Sequence, residues 1–252
     1  MSTARIVAAE TLDYLAPNDP AALRSRRDLV RVHSAMGTRA IMASGWKQLM
    51  RTDNAQPPLR ILELGAGDGT LLLGLARAIA HKWPPVHLTL LDRLDVVSPE
   101  TLAGFEALGW TAHVEITNVL DWADRPECWT HRLGLPRWDL ISTTLFLHHF
   151  EDRQLSRLLA KVAACAEHFY ACEPKRSLLA LMGSHLVGVI GANSVTREDA
   201  VLSVRAGFRA AEVSSHWPVD LAQWQLREYA AGLFSHCFSA QRIGAKNASR
   251  TA

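Results

Sequence analysis

The sequence predicts an α/β fold: a mostly parallel sheet of seven strands with helices on both faces, preceded by a helical extension. Three observations lead there. From residue 59 onward, short apolar runs of strand length alternate with longer helical patterns, which is the rhythm of βα units. The first run breaks into a glycine corner, Gly65-Ala66-Gly67-Asp68-Gly69, that opens onto a leucine- and alanine-rich helical stretch. A chain of 252 residues, 48% of them apolar, suits one such domain with an extension, whereas two full domains would be cramped.

Residues 1–54 read as the extension. Residues 1–18 are weakly patterned, and Asp19-Pro20 then reads as an N-cap with proline at the first helical position. Apolar residues recur at Val32, Met36, Ala40 and Ala43, a helical period reaching about Met50 with Gly37 as its weak point. Arg51 to Pro58 is a polar, proline-ended linker, so the main domain begins near residue 55. Its first strand is Leu59 to Leu64, and its second is Val86 to Leu91, closed by Asp92. Pro99 to Leu108 reads as a helix and Trp110 to Ile116 as the third strand. Arg125 to Arg137 is a loop with helical potential, followed by the fourth strand, Trp138 to Thr143. Glu151-Asp152 then open a helix carrying Leu155, Leu158, Leu159 and Val162, with the acids placed to complement its dipole. His168 to Cys172 is the fifth strand and ends in Glu173-Pro174. A helical insertion is expected at about residues 175–195. Thr196 to Asp199 resembles a capping box, and Gly207 supplies the stop. Ala210 to His216 and Leu233 to Ala240 read as the last two strands, and residues 241–252 as a frayed, flexible tail.

Composition narrows the function. A formal net charge of +2 with scattered basic residues argues against a nucleic-acid partner. The four cysteines, Cys128, Cys165, Cys172 and Cys237, form no C-x-x-C pair, so reduced thiols and no structural zinc are expected. The N-terminus has no apolar signal segment. Leu178 to Ala192, the most apolar long stretch, is too short to span a bilayer. A soluble, cytoplasmic protein is the expectation, with its oligomeric state open and a homodimer conceivable.

The glycine corner decides the ligand class. Its spacing is G-x-G-x-G rather than G-x-G-x-x-G, with Glu63 two residues before the first glycine and Asp68 inside the loop. Carboxylates there would repel a pyrophosphate and suit a ligand with a cationic end, such as the amino group and sulfonium of S-adenosylmethionine. Asp92, at the end of the second strand, is placed to take both ribose hydroxyls, or else to cap the next helix.

E-x-G-x-G-x-G after a strand resembles motif I of the class I (Rossmann-like) S-adenosylmethionine-dependent methyltransferases, and the order of elements over residues 55–240 is similar to theirs. The resemblance implies a Rossmann-like domain that binds S-adenosylmethionine and releases S-adenosylhomocysteine. Its cofactor contacts would come from Glu63, Gly65, Ala66 and Gly67, from Asp92 and Arg93, from Asn118 and Val119 beside the adenine, and from Thr143. Asn118 stands where many members carry aspartate. The stretch SRRDLVRVHSAMG, Ser25 to Gly37, resembles the N-terminal helices of bacterial methyltransferases associated with polyketide and phenolic-lipid pathways. In those enzymes this part closes as a lid over cofactor and substrate.

Methyl transfer is an in-line displacement that depends on positioning, and a phenol also needs its proton removed, a task suited to histidine. His148 and His149 lie just past the fourth strand, and His148 is favoured as the base. Two structural donors at a helix start are the alternative. Trp46 and His185 are candidates for the acceptor wall, as is Trp217, and Trp122 could cover the adenine; each tryptophan could equally be core. No H-x-x-x-H or H-E-x-x-H spacing points to a metal. The expected activity is O-methylation of a small hydrophobic acceptor, phenolic or polyketide-derived. C-methylation of a quinone-precursor ring and a non-catalytic S-adenosylmethionine-binding partner are the alternatives.

Overall fold

The computed structural model describes residues 4–50, 57–126, 128, 137–218 and 221–244. The linker from Arg51, most of the stretch between Arg125 and Arg137, and the tail beyond residue 244 lie outside the described residues.

Seven strands form one sheet in the order β3-β2-β1-β4-β5-β7-β6. They are β1 (Leu59–Leu64), β2 (Val86–Asp92), β3 (Trp110–Ile116), β4 (Leu140–Thr144), β5 (His168–Pro174), β6 (Trp224–Ala231) and β7 (Ser235–Arg242). The first five are parallel, and β7 runs antiparallel between β5 and β6. Strand order reverses between β1 and β4, and that reversal opens a crevice at the strands' carboxyl ends.

Side chains alternate across the sheet, so neighbouring residues feed two cores. Leu62, Leu64, Ile141 and Phe169 face α5 (Val119–Asp124) and α6 (Asp152–Cys165), whose Trp122, Leu155, Leu158 and Leu159 pack against them. Ile61, Leu88, Leu140 and Tyr170 face the other way, toward α2 (Thr38–Leu49), α3 (Thr70–Ile79) and α4 (Pro99–Glu106). The extension is helical as expected. Asp19 caps α1 (Pro20–Met36) by accepting the Ala21 N–H at 2.7 Å, and Gly37 ends it and turns the chain into α2.

Several expectations need correction. Ala210 to His216 is a turn with a short 3-10 segment, Ser214–His216, and the sixth strand lies later, at Trp224–Ala231. The N–H groups of Val213 and Ser214 donate to the Glu228 carboxylate at 2.9 and 2.8 Å, so this segment meets these backbone needs without a ladder. The cap of α8 (Ser194–Ala206) is Asn193, which accepts the Thr196 N–H at 2.8 Å; Thr196 and Asp199 stand inside the helix. Strand β7 continues to Arg242, past the expected start of the tail. Cys128 and Cys165 form a disulfide with Cα atoms 5.1 Å apart, a pairing across 37 residues that no local spacing announces; Cys172 and Cys237 are free and buried.

Candidate active site

At the crevice lies a cavity of about 810 Å³, bounded by the ends of β1, β2 and β4, by α1, and by the N-terminal segment. The glycine corner forms its floor. Gly65 and Ala66 donate their N–H groups to Leu91 O at 2.9 and 3.1 Å, and Gly67 N–H donates to Asp92 Oδ2 at 2.8 Å. Gly65 has φ 69°, and a Cβ there would lie 2.4 Å from the Phe146 ring. Gly67 has φ 56° with nothing within 4 Å of its Cβ direction, so a ligand can rest directly on its backbone. Asp68 accepts both the N–H and the hydroxyl of Thr70 at the start of α3, at 3.0 and 2.7 Å.

Glu63, next to last in β1, is buried at the cavity wall. The Ser142 hydroxyl donates to one of its oxygens and the Thr144 hydroxyl to the other at 3.3 Å. Burial dominates over these two bonds and lifts the carboxyl to about 7. The site therefore holds a carboxyl that a neighbouring cation would ionise.

Asp92 spends both oxygens on the turn, accepting from Gly67 and, at 3.0 Å, from Leu94. Each oxygen keeps a second lone pair for a ligand. Asn118 caps α5 through Oδ1, which accepts the Leu120 N–H at 2.9 Å. Arg93 reaches the N-terminal segment instead of open space, donating to Asp13 O and Asp13 Oδ1 at 2.7 and 2.9 Å. Asp92, Arg93, Asn118 and Val119 all line the cavity. Thr143 does not: it is buried in β4 and donates to Leu64 O at 3.0 Å, because strand alternation turns Thr144 toward the cavity in its place.

The two histidines stand on the opposite wall. Leu145 leaves β4 with φ 51°, a conformation costly for a non-glycine residue, and turns Phe146 to Phe150 over the rim. Glu173, at the end of β5, holds that turn: its Oε1 accepts the N–H groups of Phe146 and Leu147 at 3.0 and 2.9 Å. Its Oε2 lies 2.8 Å from His148 Nδ1. His148 Nε2 faces the cavity, 3.3 Å from Glu10 Oε1. Burial alone would lower the His148 imidazole, but hydrogen bonds and charges from Glu10 and Glu173 outweigh it and carry the group to about 9. Glu10 in turn sits below the usual carboxylate range, since its bond to His148 and the charges of both histidines overcome its own burial. His149 lies with its ring 4.3 Å from that of His148 and its Nδ1 3.5 Å from Asp13 Oδ2. Asp13 is held low in the same way, against its burial, by His149 and Arg93.

Glu10, Asp13 and Glu173 carry this wall, and the sequence reading named none of them as site residues. Glu173 was within reach, since acids at the carboxyl ends of parallel strands mark such sites. Glu10 and Asp13 gave no signal, being 138 and 136 residues before the histidines they meet. Glu10, His148 and His149 also bring ligand-type atoms within 4.8 Å of one another, a possible three-donor set for a cation. No spacing rule could expose it.

His33 joins the site from α1. It lines the cavity, its Nδ1 is buried without a partner among the described residues, and burial pushes it down to about 4, so it is neutral. Trp46 is core: it is fully buried with its ring 5.7 Å from that of Trp83, because it lies on the sheet-facing side of α2. His185 is exposed on α7 (Leu178–His185) and points away from the cavity, which its neighbours Ser184 and Leu186 line. Trp122 and Trp217 are core as well.

The fold has solved counterparts. The chain is similar to the plantazolicin methyltransferase BamL, solved with a triazolic desmethylPZN analog and SAH, at 12% identity and TM-score 0.57 over 92% of this chain and 94% of that one. An O-methyltransferase family protein from Burkholderia thailandensis is 13% identical with TM-score 0.56, over 91% of this chain and 62% of that one. The pyocyanin biosynthetic protein PhzM is 17% identical with TM-score 0.55, over 93% and 62%. At these identities the likeness establishes the fold. A search among curated proteins finds no match. The model of a methyltransferase domain matches residues 7–245, nearly the whole chain, and the chain belongs to that methyltransferase family.

Proposed function

We propose that this cavity binds S-adenosylmethionine against the glycine corner and transfers its methyl group to a hydroxyl of a small hydrophobic acceptor of phenolic or polyketide type. Glu63 meets the cationic end of the cofactor, Gly67 lends its backbone, Asp92 takes the ribose hydroxyls, and the turn at Asn118 and Val119 borders the adenine. Arg39 from α2 and Arg26 from α1, whose Nη2 is buried without a partner among the described residues, both line the cavity and are the cations nearest to hand for the cofactor's carboxylate.

The observation that carries the reading is the Glu173–His148 pair. Glu173 fixes the ring through Nδ1 at 2.8 Å and leaves Nε2 directed into the cavity. An acceptor hydroxyl entering there takes the place of Glu10 beside Nε2. Without that second carboxylate the imidazolium holds its Nε2 proton less tightly; the proton leaves to solvent with the displaced Glu10, and the neutral ring becomes a base. The hydroxyl proton then passes to Nε2 as the oxygen attacks the methyl carbon. The new O–C bond forms while the S–C bond breaks, and the sulfonium leaves as the neutral thioether of S-adenosylhomocysteine. A general base placed this way contributes about 10²–10⁴-fold, and alignment of the two substrates supplies a large share of the rest. The apolar wall formed by Leu29, Val32, Met36, Val187 and Val204 favours a hydrophobic acceptor.

The test is incubation with methyl-labelled S-adenosylmethionine and a panel of phenols, followed by mass spectrometry. The expected result is an O-methylated product whose formation falls at least 100-fold in His148→Ala while cofactor affinity holds. Transfer to carbon, or transfer untouched by His148→Ala, overturns the reading.

A further inference from the structure

Helix α7 and the 3-10 turn Val187–Ile190 after it present an apolar surface that none of the described residues covers. Only Ala180 and Ser184 of α7 are buried. Leu178 is 75% exposed, Met182 63%, Leu186 61% and Val189 84%. A helix apolar on all sides normally lies inside a protein or in lipid, and contiguous exposed apolar surface marks an interaction site.

Two further observations decide the occupant. The first is charge. No Asp, Glu, Lys or Arg occurs between Arg176 and Arg197. The neighbouring helix α1 touches this turn, with Arg31 donating to Ile190 O at 3.3 Å. Beside the apolar Leu23 and Val30, the exposed ionised side chains of α1 are Arg24, Arg27 and Arg31; its one acid, Asp28, is buried and paired with Arg31. Arg197 lies along Gly188 on the other flank, with Glu198 the nearest exposed acid in the chain. An apolar centre bordered by arginines complements a lipid surface with anionic headgroups. The second is continuity with the cavity. Val30, Leu186 and Ile190 are exposed on one side and line the cavity on the other, so the patch forms part of its rim.

We propose that α7, the turn Val187–Ile190 and the arginine face of α1 dock the protein on an anionic bilayer, with the cavity mouth against the lipid. A hydrophobic acceptor then enters sideways from the membrane without crossing water. The docking is peripheral, since among the described residues no helix is long and apolar enough to cross a membrane. Delivery of the acceptor rests on the methyl-transfer reading of the cavity. The docking itself does not, and an assay without turnover separates the two.

That assay is cosedimentation of the full chain with phosphatidylcholine vesicles containing or lacking phosphatidylglycerol. Binding is expected to the anionic vesicles and to decline with salt. Met182→Glu with Val189→Glu should abolish it, because both residues are exposed and lie outside the cavity lining. Arg24→Ala with Arg27→Ala should weaken it by about 30-fold. Unchanged S-adenosylhomocysteine affinity in both double variants shows that the fold is intact. Absence of vesicle binding overturns the proposal, as does equal binding by the glutamate variant. A dimer that this variant dissociates, with no vesicle binding by the parent, assigns the face to a second copy and overturns it as well.

Discussion

Replacing Glu63 by glutamine tests the cofactor corner through a proton rather than through a product. Burial lifts this carboxyl from 4.5 to about 7, and at 1.36 kcal/mol per pH unit the ionised form costs the folded protein about 3 kcal/mol. A carboxyl raised in the folded state gives stability that is complete below pH 4.5 and lost as pH rises through 7. In the empty protein at pH 6 the group carries about 0.9 of a proton, and at pH 8 about 0.1. A cationic ligand beside it drives that proton off. Calorimetry of S-adenosylmethionine binding, run in buffers of different ionisation enthalpy, should therefore show release of about 0.9 proton at pH 6 and almost none at pH 8. The His148 imidazole, at about 9, stays protonated at both values and adds little to the difference. In Glu63→Gln the release at pH 6 should vanish and affinity should fall roughly 10- to 100-fold, the size of a lost hydrogen bond to a charge. The empty variant should gain stability at pH 8, since it no longer ionises a buried carboxyl. Equal proton release at the two pH values, or release that survives the substitution, refutes the placement of the cation at Glu63.

Glu10→Gln should lower the His148 proton affinity by removing one of its two carboxylates, so the rise of transfer rate with pH should shift to lower pH; an unmoved profile counts against His148 as the group titrated. In the parent, the stability supplied by this pair is complete below 6.5 and lost as pH rises through about 9, so a melting curve that declines across that interval and flattens in Glu10→Gln is the companion measurement. Asp92→Ala should weaken cofactor binding about 10- to 100-fold, as it loses both the ribose contact and the hold on Gly67; unchanged affinity, read by titration calorimetry, removes the ribose assignment. Transfer should persist in chelator, because His148 acts through a proton; activity lost to chelator and restored by zinc would instead give Glu10, His148 and His149 to a metal.

Local chemistry made much of this protein legible. The corner from Glu63 to Gly69 declares itself, because three alternate glycines, all at positive φ, and an acid stand at the end of a buried strand. The βα rhythm carried the first five strands to within a residue or two, since each is a strand-length apolar or alternating run bounded by breakers. The signal weakened after Gly207, where Ala210 to His216 is mixed in polarity and a short turn can pass for a strand. Glu228 satisfies the N–H groups of Val213 and Ser214 from 15 and 14 residues away, and no local pattern records that.

By itself the sequence disclosed the fold class, the glycine corner and the paired histidines as candidates, because each shows as a pattern among residues close in the chain. Only the tertiary structure decided what those histidines can do. It brings Glu173 from the next strand and Glu10 from the chain's first turn to the two nitrogens of one ring, and so sets its proton affinity and its direction. It also turned Thr143 and Trp46 inward and left α7 uncovered. Burial and charge act through space, and separation along the chain carries no record of either.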